Sequence, residues 1–459
     1  MTSSPRTPLL LACGASFLAF LDVTITNLAI PDLAQDFHAG VSSLSWVVTL
    51  YTILFAALLA PAGRFADLVG RRRLFAIGVT VFTAASLAAA LSPSLGFLLA
   101  ARGVQGVGAA MLLPASLAFV LADTAPEKRP AAIGLWAASA SIAAIAGPAL
   151  GGVLVDATGW RALFLINVPL GVALVWGTLR LPAVEHKRGR RPDVLGAVLL
   201  AASVASLVLG VTQARAWDWI DPRTLGALIG GAFGLALALI RAARTPAPAI
   251  EISLWRNRTY ATANVVSLLF GAGLYATLLL GVLFVTEVWG WSELQAGLSV
   301  TPGALASALI GIAIGRAQRR PSPRVLVIAG GLTLAASTAA IAIWLPETPS
   351  FLTFWLPLGM TMGLGMGAIS VGVSSAAALS VTPERFAAAT GLNIAARQVG
   401  GALGVAFLAL ALDGHTPGDT SAYSVVYAMT ATVSLAVALA AIRLAPVRAP
   451  TPQMAAARA

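Results

Sequence analysis

Three charges lie where charge is costly. Asp22, Arg102 and Arg397 each sit inside a long apolar stretch of this 459-residue chain. The run from Pro8 to Ile30 spans 23 residues and holds no charge but Asp22, a length that suits one crossing of a bilayer. An ionisable group at that depth usually faces a polar cavity and carries protons, ions or substrate. Asp22 lies eight residues before Ile30, and Arg102 lies seven after Leu95. At about 1.5 Å per residue, both then sit roughly 10–12 Å below one membrane surface. At matched depth the two could pair, compete for a proton or substrate, or form a purely structural ion pair. Arg397 either faces a cavity or snorkels to the nearer surface as an anchor.

The elements that would position these groups are helices in lipid. The chain is 58% hydrophobic and 10% charged, against about 25% charged for a soluble domain. Apolar stretches fall at about 8–30, 44–63, 74–92, 95–121, 132–155, 162–181, 194–213, 224–241, 260–286, 295–315, 325–345, 351–379, 388–412 and 421–443. An even count puts both termini on one side. Of the 29 basic residues, 24 fall in the alternate connections and tails that then share that side, which makes it cytoplasmic. The basic clusters lie between apolar runs, as in membrane orientation and not as in a nucleic-acid face. One cysteine, Cys13, and three histidines scattered over predicted loops exclude an intrachain disulfide and argue against a Cys/His metal centre. No cofactor and no obligatory protein partner are expected.

The longest polar connections, about 182–193 and 242–259, set off one helix pair from six spans on either side. The expected fold is an all-α integral membrane protein of two six-helix bundles plus two inserted helices. The division is 1–182 for the N-terminal bundle, 183–258 for the linker and added pair, 259–445 for the C-terminal bundle and 446–459 for a disordered cytoplasmic tail. Halves of six suit bundles that rock about a site at their interface.

Glycine and proline mark the moving parts. Gly147-Pro148-Ala149-Leu150-Gly151-Gly152 lies within the fifth span, where proline removes a backbone bond and small residues allow close approach. Gly359, Gly363 and Gly367 share one face of the twelfth. That face serves either static packing or a surface on which bundles part. The connection Gly63-Arg64-Phe65-Ala66-Asp67-Leu68-Val69-Gly70-Arg71 holds a carboxylate that basic anchoring leaves unexplained. Asp67 could bond to arginines or to a neighbouring helix N-terminus, holding one conformation closed.

Together these motifs resemble the major facilitator superfamily and, within it, the fourteen-span drug:proton antiporters. Leu21-Asp22-Val23-Thr24-Ile25-Thr26-Asn27 is similar to that family's helix 1 signature, and Gly63 to Arg73 to its loop between helices 2 and 3. Arg102-Gly103-Val104-Gln105-Gly106 resembles the helix 4 motif, Gly147 to Gly152 the antiporter motif, and Trp160 to Pro169 the start of helix 6. Two departures stand out: Leu68 replaces a usual basic residue, and the loop after Gly315 lacks an acidic one.

The resemblance implies a plasma-membrane exporter of amphipathic or drug-like small molecules, driven by protons and working by alternating access. Asp22 and Arg102 would couple to protons. Asn27, Gln105, Trp136, Met366, Asn393 and Arg397 would line the substrate cavity. Gly63, Asp67, Gly70, Arg71, Gly147, Pro148, Gly151 and Gly152 would govern the conformational change. A single-metabolite exporter and an uncoupled uniporter are the alternatives within transport. A membrane enzyme lacks its interfacial cluster of His, Ser or Cys, and a sensor lacks its output domain.

Overall fold

The computed structural model describes residues 6–181, 192–317, 321–412 and 420–444. The expected tail and most of the linker at 182–193 lie outside them. Among the described residues there is no strand, and fourteen helices are long and apolar enough to cross a membrane. In chain order, spans 1 to 6 are Thr7–Thr26, Trp46–Val69, Arg71–Ala90, Leu95–Asp123, Pro126–Gly147 and Arg161–Leu179. Spans 7 and 8 are Val194–Ala214 and Pro222–Arg244. Spans 9 to 14 are Arg258–Glu287, Leu294–Arg316, Pro323–Trp344, Phe351–Leu379, Pro383–Ala411 and Thr420–Ala441.

The spans form two six-helix bundles and an added pair. Span 1 packs on 5, and span 4 on 2 and 3; in the second bundle, span 9 packs on 13, and span 11 on 12 and 14. The bundles meet where span 2 lies against 13 and span 5 against 10. Spans 7 and 8 pack on one another, with span 7 lying against both 2 and 13. The added pair therefore sits alongside the seam between bundles.

Helix ends depart from the apolar stretches for local reasons. Span 1 stops at Thr26, and after one 3-10 turn a second helix runs over Ile30–Phe37. Pro31 lies at the start of that helix, where its missing N–H breaks no helical bond. Span 2 runs six residues beyond the apolar stretch, because a helix may leave the hydrocarbon without ending. It stops at Gly70, whose φ of +114° favours glycine. Span 3 begins on the next residue, so Asp67 and Arg71 flank one sharp corner.

Two faces can be told apart. One carries Arg64, Arg71, Arg72, Arg73, Arg129, Arg256 and Arg385. The opposite face carries an aromatic group, with Phe284, Trp289, Trp355 and Tyr423 in mutual ring contact, as suits a membrane–water interface. The glycine face of span 12 meets span 10 of its own bundle: a Cβ on Gly363 or Gly367 would collide with Gly303 or with Ser307 and Ile310. It is a packing seam within a bundle, not a surface on which bundles part.

Candidate functional site

Five spans converge on Asp22. Its Oδ2 accepts from Arg102 Nη1 at 2.6 Å, and its Oδ1 accepts from Gln105 Nε2 at 2.7 Å and Asn167 Nδ2 at 2.8 Å. Gln105 lies three residues after Arg102, one turn along span 4, so both side chains reach the same carboxylate. Its Oε1 accepts a second bond from Arg102 Nη1, at 2.6 Å, and its Nε2 also donates to Ser86 Oγ of span 3 at 2.7 Å. Arg102 Nε donates to the Val47 carbonyl of span 2 at 2.9 Å, and its guanidinium lies 4.4 Å from the centre of the Tyr51 ring. Asp22, Ser86, Arg102, Gln105 and Asn167 are all fully buried.

The arrangement has one chemical consequence. Every polar contact to Asp22 comes from a donor, so the network fits a carboxylate that accepts only. A proton on Oδ1, which already accepts two bonds, would displace one of them, and loss of the negative charge would weaken the Arg102 bond to Oδ2. Protonation and rearrangement are therefore tied together. The helix of span 5 continues to Thr158, and its glycine motif abuts this site: a Cβ on Gly147 would collide with Thr24, and one on Gly151 with Leu28 of the segment following span 1. The side chains of Asn27 and Pro148 lie outside the described residues.

A second cluster seals the arginine-rich face. The Asp67 carboxylate caps the first turn of span 13, accepting from the backbone N–H of Ala388 at 2.8 Å and of Ala387 at 3.3 Å. Arg71 donates to the same carboxylate through Nε at 2.9 Å and Nη2 at 2.7 Å, and also to the Pro383 carbonyl. Gly63 and Gly391 let spans 2 and 13 touch backbone to backbone, since a Cβ on either would strike a carbonyl of the other helix. Glu251, in the connection before span 9, forms ion pairs at 3.1 Å with both Arg64 of span 2 and Arg385 of span 13. Sequence reading passed over Glu251, because a lone acidic residue in a polar connection carries no local signal. It also gave Asn167 no role.

The remaining expected cavity residues are dispersed. Trp136 is buried in the first bundle and donates its indole N–H to Ser116 Oγ at 3.1 Å. Met366 lies in the apolar core of the second bundle, and the buried Asn393 side chain reaches the Ala263 carbonyl at 3.4 Å. Arg397 does not snorkel: it donates to Ser370 Oγ at 3.3 Å and Ser374 Oγ at 3.1 Å of span 12. Glu287, at the end of span 9, is exposed and accepts a bond from the Tyr423 hydroxyl. Asp36, on the opposite face, is bonded by Trp160 Nε1 at 2.9 Å and Arg161 Nη1 at 2.7 Å, which hold its carboxyl below the usual range. An apolar cavity of about 490 Å³ lies elsewhere, among Val211, Ala276, Phe407 and Met429 of spans 7, 9, 13 and 14. With no residue of spans 1 or 4 in its lining, it is not the space around Asp22.

A family model described as Major Facilitator Superfamily matches residues 12–405 and 263–458. The chain is 35% identical over 402 residues to Multidrug resistance protein Stp of Mycobacterium tuberculosis, covering 87% of this chain and 74% of that one. It is 34% identical over 428 residues to the Cephamycin export protein CmcT of Amycolatopsis lactamdurans, covering 91% and 87%. It is 33% identical over 436 residues to the Lincomycin resistance protein of Streptomyces lincolnensis, covering 94% and 89%. The human organic anion transporter MFSD10 (TETRAN) has the same fold, with a TM-score of 0.68 at 16% identity over 96% of this chain and 100% of that one. The chain thus belongs to the Major Facilitator Superfamily, and it is a multi-pass membrane transporter and not an enzyme.

Proposed function

We propose that the protein exports amphipathic, drug-like small molecules in exchange for protons by alternating access. The observation that carries the reading is the fully buried Asp22 carboxylate, held by Arg102 and Gln105 of span 4 and Asn167 of span 6. The names of the relatives, which speak of multidrug resistance, cephamycin export and lincomycin resistance, support drug export. The basic bias supports a cytoplasmic arginine-rich face with both termini inside, and an exporter of this kind would act in the plasma membrane. The closed cytoplasmic side, capped by Asp67, then corresponds to a state from which Asp22 takes its proton from outside. Binding that proton breaks part of the network and favours opening inward, where the proton leaves and drug enters. Gly63, Asp67, Gly70 and Arg71 serve the cytoplasmic closure, and Gly147 to Gly152 let span 5 move against span 1.

The test is transport in proteoliposomes under an imposed pH gradient, with fluorescent amphipathic dyes of both charges. Gradient-driven movement that disappears in Asp22→Asn supports the coupling role. Equal movement in both chains removes Asp22 from it. Movement that ignores the gradient in the native chain makes the protein a uniporter.

A further inference from the structure

The two bundles treat their buried arginines differently. Arg102 is neutralised by Asp22 at 2.6 Å. Arg397, midway along span 13, has only the hydroxyls of Ser370 and Ser374 and the ring of Phe270, whose centre lies 5.6 Å away. Among the described residues no carboxylate lies within ion-pair distance of it. Its Nε is buried without a hydrogen-bond partner. A guanidinium cannot shed its charge as a lysine can, and an uncompensated charge at this depth is expensive. Nor can its helix turn away. A Cβ on Gly400 or Gly404 would strike span 9, and one on Gly271 of span 9 would strike the backbone of Arg397 itself.

The charge also faces the right way. Span 13 packs against spans 2 and 4 of the first bundle, and Ile394 and Ala395, next to Arg397, share an apolar cluster with that bundle, while Tyr275 of span 9 donates to Gln398 Oε1 at 2.6 Å. Arg397 therefore borders the space between the bundles, and part of its surface is accessible. Asp22 and Arg102 cancel each other, so Arg397 is the one of the three intramembrane charges left without a counter-charge among the described residues.

We propose that Arg397 anchors an anionic group of the transported molecule, a carboxylate or another planar oxyanion that its guanidinium can grip at two points. Substrates are then organic anions or zwitterions whose apolar parts lie along Phe270 and its neighbours. This deepens the exporter reading above and rests on it. Substrate supplies the missing counter-charge, so occupancy relieves the cost of the empty site.

The experiment measures fluorescence anisotropy of two xanthene dyes on the purified full chain, fluorescein as the anion and rhodamine 123 as the cation. Native chain, Arg397→Gln and Arg397→Lys are compared. Loss of a charge-assisted bond predicts fluorescein binding weakened by roughly 10- to 100-fold in Arg397→Gln. Arg397→Lys should lose less, and rhodamine 123 should bind all three chains alike or Arg397→Gln more tightly. On the native chain, benzoate should displace fluorescein and benzamide should not. Equal weakening of both dyes in Arg397→Gln overturns the anchor and leaves a structural clamp to Ser370 and Ser374. Absent fluorescein binding by the native chain, or displacement by benzamide as readily as by benzoate, overturns it too. Binding needs no gradient, so the readings separate. Charge-selective binding without proton-driven flux defeats the antiporter reading alone, and charge-blind binding with intact flux defeats the anchor alone.

Discussion

Replacing Asp67 by Asn should loosen the closed face by an amount that the geometry sets. Only bonds that cross from span 2 to span 13 count, because the Asp67–Arg71 pair survives separation of the bundles. The crossing contribution of Asp67 is chiefly its bond to the Ala388 N–H at 2.8 Å, with a longer one to Ala387 at 3.3 Å. A charged acceptor contributes about 1.5–3 kcal/mol to such a bond and a neutral one about 0.5–1.5 kcal/mol. The negative charge at a helix N-terminus adds about 0.3–1 kcal/mol. The Asp67 side chain is 1% exposed, so solvent screens little of this. The substitution should thus cost closure about 2 kcal/mol, or roughly 30-fold in the equilibrium. A closed-to-open ratio of about 95:5 would become about 40:60. The assay is double electron–electron resonance in a Cys13→Ser background, with spin labels at Arg73→Cys and Thr382→Cys, both exposed positions. A long-distance population should grow in Asp67→Asn. Distance distributions that overlay for the two chains sink the reasoning.

Two further predictions follow from pairs. Arg102→Gln or Asp22→Asn alone leaves a buried charge without its partner and should lower stability by about 3–5 kcal/mol. The double variant should lose less than the sum, read as thermal midpoints in detergent, and additive losses would contradict the pairing. Asp193 caps span 7 through the Gly196 N–H and pairs with Arg241 of span 8 at 2.8 Å; the Arg241 bond holds its carboxyl below the usual range. Its stabilising contribution is therefore full above about pH 4 and is lost as pH falls through the depressed value. Asp193→Asn should cost about 1 kcal/mol near neutral pH, since Arg241 is partly exposed. The gap from the native midpoint should close in acid, and a gap constant with pH would contradict the ion pair.

Much of this was legible in the sequence because lipid imposes simple rules. Apolar length located the spans. Isolation in an apolar run singled out Asp22 and Arg102, and equal depth made them partners. Asp67 was legible as an orphan carboxylate at a helix end, with both kinds of partner foreseen. What stayed hidden depends on rotation about helix axes and on contacts far apart in sequence. Trp136, Met366 and Asn393 were polarisable or polar side chains at suitable depth, but depth says nothing of azimuth. Asn167 is polar in an apolar run, as Asp22 is, yet an amide costs too little there to draw notice. Glu251 joins Arg64 to Arg385, residues separated by nearly the whole length of both bundles, and no local pattern records that.

The Asp22 network and the closed face lie far apart, and one helix touches both. Span 2 supplies the Val47 carbonyl and the Tyr51 ring to Arg102 at one end, and Gly63 and Asp67 to span 13 at the other. Twenty residues of helix separate Val47 from Asp67, about 30 Å. A spatial link of this kind is not yet coupling, which requires an element with two arrangements that both sites bias. Span 2 meets the requirement if loss of charge at Asp22 changes how Arg102 holds it. The spin-labelled pair reads that directly. In Asp22→Asn, which mimics a neutral carboxyl, the distance at Arg73 and Thr382 should lengthen although neither label is near the substitution. If Asp22→Asn leaves the distances at native values, the carboxylate and the closed face are independent.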